Sequence, residues 1–79
     1  MALTVTHDPE ADALYIRFAD RPYAYGRDLD DERRVDYDEA GTPIGVELLC
    51  VSSGVDLHDV PHGDEIADAL RPLGIKELA

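Results

Sequence analysis

Residues 36–47, DYDEAGTPIGVE, carry carboxylates at a spacing that could hold calcium. Asp36, Asp38, Gly41 and Glu47 fall at positions 1, 3, 6 and 12 of an EF-hand loop. That loop needs a ligand at position 5 and a helix on each side. Here position 5 is Ala40, and the flanks RRVDY and VELLCV alternate as strands do. A hairpin accounts for the same residues. Pairing Tyr37 with Ile44 sets Val35 opposite Val46 and Arg34 opposite Glu47, an apolar face and an ionic face. A shift of one residue would set Val35 against Gly45 and lose the match. The expectation is therefore a hairpin with its loop at Glu39 to Thr42 and no calcium site.

Other residue types along the chain also carry potential chemistry. Asp8, Glu10 and Asp12, with His7 beside them, could ligate a divalent cation and support a small metal-dependent hydrolase. The competing reading is turn chemistry, in which Asp8 and Asp12 accept hydrogen bonds from nearby backbone. Asp28, Asp30, Asp31 and Glu32 form an acidic run beside Arg33 and Arg34. It suits either a landing patch for a basic protein or a charged strand edge that discourages aggregation. His58 and His62 have helical spacing for a transition metal, but Pro61 between them interrupts a helix. Cys50 ends an apolar strand face and is expected in the core rather than as a nucleophile. Tyr15 is expected either at an interface or in a second core layer.

The elements that must position these residues follow from periodicity. LTVTH (3–7) and ALYIRF (13–18) alternate around a DPEAD turn and make a hairpin. Leu14, Ile16 and Phe18 share one face; Ala13, Tyr15 and Arg17 share the other. A short strand is expected within 23–29, then RRVDYD (33–38) and PIGVELLCV (43–51). GDEIADALR (63–71) is expected to be a helix with Ile66, Ala69, Leu70 and Leu73 as its apolar stripe, stopped by Pro72 and Gly74. The expected fold is α+β: a small antiparallel β-meander of three to four strands with a C-terminal helix packed on one face, all in one domain over 1–79.

Composition narrows the partners. Among 79 residues, 18 acidic side chains against 7 Lys and Arg leave a net charge of −11. Such a surface repels phosphate backbones and anionic membranes, and attracts basic proteins or cations. One cysteine excludes an internal disulfide and a multi-cysteine zinc site. The N-terminal residues MALTVTHDPE do not read as a signal peptide, so the expected location is the cytoplasm. No cofactor is expected. A chain this small is also helped by dimerisation, which could pair exposed strand edges.

HDPEADALYIRF together with VDYDEAGTPIGVELL resembles the small bacterial and archaeal family catalogued as domain of unknown function 2283. The matching positions are Asp8, Glu10, Asp12, Leu14, Tyr15 and Ile16, then Val35, Asp36, Asp38, Gly41, Gly45, Glu47 and Leu48. His7 departs from the usual Tyr, and Ala40 from the usual Asp or Asn. The resemblance covers residues 3 to 50; the remainder looks like an appended cap. It implies no established enzymatic activity and, since some members are described as occurring beside small toxin-like proteins, an antitoxin or immunity-type partner role. The overall expectation is a non-catalytic acidic interaction module. Its partner-binding residues would be Asp28, Asp30, Asp31, Glu32 and Tyr15, with the hydrolase and a purely structural homodimer as alternatives.

Overall fold

The computed structural model describes residues 3–78. Strands β1 (Thr4–Asp8) and β2 (Ala13–Arg17) form the first hairpin, with Thr6 opposite Tyr15. β3 (Tyr25–Asp30), β4 (Arg33–Tyr37) and β5 (Pro43–Leu49) follow as a second antiparallel unit. The units join through β2 and β5, giving one five-stranded sheet in the order β1-β2-β5-β4-β3. This corrects the expected meander of three to four strands. Alternation along a segment reveals a strand and its faces but not its neighbour. β5 carries the longest buried stripe, Ile44, Val46 and Leu48, and takes the centre of the sheet, where both its edges are paired.

The expected β4–β5 register holds at Arg34 opposite Glu47 and Val35 opposite Val46. It breaks between Asp36 and Tyr37, so Tyr37 lies opposite Pro43 rather than Ile44. A proline cannot donate to a ladder and sits at a strand start or an irregularity, and Pro43 does both.

One face of the sheet is covered. Leu14, Ile16, Phe18, Val35, Val46 and Leu48 meet Val51, Val55, Leu57 and Val60 of the following segment, and Ile66 and Leu70 of helix α1 (Gly63–Leu70). Asp64 and Glu65 occupy the first turn of the helix, where its dipole favours negative charge. The expected stripe is corrected at Leu73, which is 51% exposed in the turn after α1; Ile75 packs on the core beyond it. A short parallel pair, β6 (Val55–Asp56) with β7 (Glu77–Leu78), ties down the tail and was not foreseen.

Cys50 is also corrected: it is exposed, and Val51 is buried. β5 ends at Leu49, and Cys50 takes a left-handed φ of 56° to start a 3-10 turn, so the strand alternation no longer applies. Among the described residues no helix is long and apolar enough to cross a membrane.

Candidate functional site

Among the described residues the sheet face opposite α1 has no covering layer, and it holds most of the motif residues. Tyr15 on β2, Gly45 and Glu47 on β5, and Asp36 on β4 lie side by side across three adjacent strands. Tyr15 leans diagonally across β5, and its phenol donates to Asp36 Oδ2 at 2.9 Å. Gly45 makes this possible: a Cβ there would collide with the Tyr15 hydroxyl and lie 2.7 Å from its Cζ. A central strand weakened by glycine is thus repaired by an aromatic ring laid over it. Tyr15 is therefore half-buried on the open face, not part of a second core layer under α1.

Burial and the hydrogen bond to Asp36 push the Tyr15 phenol up to about 12. Below the unfolded tyrosine value, near 10, both states keep the proton and the contribution to stability is complete. Between there and about 12 only the folded chain keeps it, so stability falls as pH rises through that window. Spectrophotometric titration is expected to show a late tyrosinate phase near 12 that is missing in Tyr15→Phe. A titration in which Tyr15→Phe removes no late phase would show that the phenol is not held this way.

The calcium-like spacing does not become a cage. Asp36 faces Tyr15, and Glu47 is exposed on the open face. Asp38 is 4% exposed, and its Oδ1 accepts the amides of Ala40 and Thr42, both at 2.9 Å. Its other oxygen meets Arg21 Nη1 at 3.4 Å. Gly41, with φ 82°, completes that turn in a conformation that favours glycine. Arg34 is directly opposite Glu47, but it pairs instead with Asp28 at 2.8 Å and Asp36 at 3.7 Å, which corrects the expected ion pair.

Turn chemistry also governs residues 8–12. Asp8 Oδ1 accepts the amides of Glu10 and Ala11. Asp12 does something the sequence did not suggest: it accepts from the Ser52 amide at 2.9 Å and the Ser52 hydroxyl at 2.6 Å. Its role is to tie the first hairpin to the turn after β5, not to shape its own loop. Glu10 and His7 are exposed. Among the described residues no three His, Cys, Asp or Glu side chains converge as metal ligands would.

The acidic run is partly neutralised from within. Asp28 pairs with Arg34, and Asp30 with Arg33 Nε at 2.9 Å. The amide of Glu32 and the guanidinium of Arg33 hold the Asp30 carboxyl below its usual range. Arg33 has a further use, since its Nη1 donates to the carbonyls of Asp56 and His58 and clamps the β3–β4 turn to the segment after β6. Nothing in the sequence beyond its basic charge marks Arg33 for that role.

Asp31, Glu32 and Glu47 remain exposed, with no ion-pair partner among the described residues. The acidic run lines a shallow depression of about 200 Å³ that also includes Glu47 and Leu49. A second depression of about 260 Å³ is lined by Tyr15, Thr6, Asp8 and Ala13, and again by Glu47 and Leu49. The two groups of expected partner-binding residues, far apart in sequence, thus adjoin through Glu47 and Leu49. Leu49 is 36% exposed and had no sequence signal beyond its outward alternation.

The remaining candidates are dispersed. His58 lies against Asp59, and the His62 ring packs tilted, at 60°, against Phe18 with ring centroids 4.7 Å apart. The Cys50 thiol is pushed up by hydrogen bonding to the Glu32 carboxylate and by its charge, which disfavours the thiolate a nucleophile needs.

Comparison with known proteins agrees with this division of the chain. A family model described as "Protein of unknown function (DUF2283)" matches residues 4–52, which takes in all five strands of the sheet and stops before α1. No curated protein and no solved structure matches the chain. With more than half of its length matched, including the Tyr15, Asp36 and Gly45 arrangement, the chain belongs to the DUF2283 family of proteins of unknown function.

Proposed function

We propose that the chain is a non-catalytic interaction module that presents the open face of its sheet to a basic protein, in the manner of an antitoxin. The observation that carries this reading is the pair of adjoining depressions joined by Glu47 and Leu49. A half-exposed tyrosine and leucine supply apolar contact, and unneutralised carboxylates flank them. Aromatic contact within a polar, solvent-accessible rim is the usual anatomy of a binding patch. The net charge of −11 adds long-range attraction for a basic partner and speeds association.

The test is native mass spectrometry of the protein purified from its own host, with and without Asp31→Lys, Glu32→Lys and Glu47→Lys together. These three are chosen because reversing Asp28 or Asp30 would also break internal ion pairs. The native chain is expected to carry a basic protein in fixed ratio, and the reversed chain to lose it. A partner retained by the reversed chain, or no partner on either, would remove the proposal.

A further inference from the structure

We propose that β1 is a self-pairing edge, and that two copies of the chain join antiparallel along it, Val5 against Val5, into one continuous ten-stranded sheet. Among the described residues the sheet of one copy has two free edges, β1 and β3. They are not alike. β3 is defended: its pairing register breaks between Asp28 and Asp30, and both carboxylates stand on it. A bulge and charges are the usual protections against edge pairing. β1 has neither. Its register runs unbroken from Thr4 to Asp8, it contains no proline, and its only carboxylate is at its last residue. Its first three residues, Thr4, Val5 and Thr6, are β-branched and favour a strand.

The hydrogen-bond pattern shows what this edge offers. Leu49 donates to Glu32 across β4–β5, and Phe18 donates to Ile44 across β2–β5. In an antiparallel ladder each residue directs both backbone groups to one side, and the sides alternate. Following that alternation through the registers, Ala13, Tyr15 and Arg17 direct theirs to β1 and are met by Asp8, Thr6 and Thr4. Val5 and His7 therefore direct N–H and C=O outward, away from β2. Two copies in antiparallel register place Val5 opposite Val5, Leu3 opposite His7 and Thr4 opposite Thr6. No like charges then stand opposite each other. Val5, only partly buried at the rim of the core, gains apolar cover from its own counterpart, and Leu3, also partly buried, is covered by His7 of the other copy.

A second copy fits this edge better than another strand for two reasons. The residues complement themselves about the two-fold. The opposite edge is protected, so the assembly closes at two copies instead of growing into a filament. The two-fold axis is perpendicular to the sheet, so both open faces look the same way.

The test is sedimentation equilibrium up to millimolar concentration, together with amide exchange at Val5 and His7. The native chain is expected at twice its 8.7 kDa mass, with both amides protected only where the dimer is populated. His7→Pro removes an outward N–H from an exposed residue, and Thr6→Glu adds a carboxylate to the edge without touching the core. Each should give a folded monomer with its core amides still protected. If His7→Pro fails to fold, Thr6→Glu decides. A native chain that stays monomeric, or a dimer that persists in Thr6→Glu with Val5 and His7 exchanging freely, would overturn the proposal.

Discussion

Ile66→Ala is expected to bring the chain close to its unfolding midpoint in water. Ile66 is fully buried, and with Leu70 it is one of the two helix residues buried in the core under the sheet, with Ala67 packed beside them. Removing three carbons there should cost about 2–5 kcal/mol, from lost burial and the cavity left behind. Domains this small are held by roughly 5 kcal/mol, toward the low end of the usual range. Urea unfolding followed by circular dichroism should show the midpoint fall by about two fifths or more. Leu73→Ala provides the contrast. Sequence periodicity places Leu73 in the same stripe, yet it is largely exposed, so its loss should change stability by about 0.5 kcal/mol or less. Equal shifts for the two variants would mean that α1 does not anchor the covered face.

The second large effect concerns Gly45. Its backbone is not in the left-handed region, so alanine is tolerated by the chain itself. The obstacle is the Tyr15 ring lying over it. Gly45→Ala must push that ring aside, and overpacking of this kind costs about 1–3 kcal/mol. The phenol would also leave Asp36, so its titration should move down from about 12 toward the ordinary tyrosine value. The same Gly45→Ala change made in a Tyr15→Ala background should cost less, because only the Ile16 carbonyl, 3.0 Å from the new Cβ, then stands close to residue 45. The pair should therefore couple by about 1 kcal/mol or more in a double-mutant cycle. Additive costs would mean that the glycine is not there for the tyrosine. The cycle bears on function too, since Tyr15 forms part of the proposed binding face.

Alternation of apolar and polar residues is enough to dictate much of this fold. The β-strand face Leu14, Ile16, Phe18, the pairing of Val35 with Val46 and the Gly63–Leu70 helix follow from repeats of two or about four residues, and the Asp8 turn from local side-chain-to-backbone bonding. Those features depend on neighbours within one element or one hairpin, and the residues themselves carry that information. The acidic run and Tyr15 stood out as surface chemistry for the same reason.

What the tertiary structure alone decides are relations between distant segments. Periodicity could not place β5 between β2 and β4, because strand alternation is the same whichever strand lies alongside. It could not show that Asp12 would find Ser52, forty positions away, or that Arg33 would reach the carbonyls of Asp56 and His58. It put Cys50 inside, since only the left-handed turn at that residue ends the alternation. It also could not show that Tyr15 and the residues near Glu32 share a face, with Glu47 and Leu49 between them. That juxtaposition depends on which strand lands in the centre, and this is set by long-range burial of one apolar stripe against another.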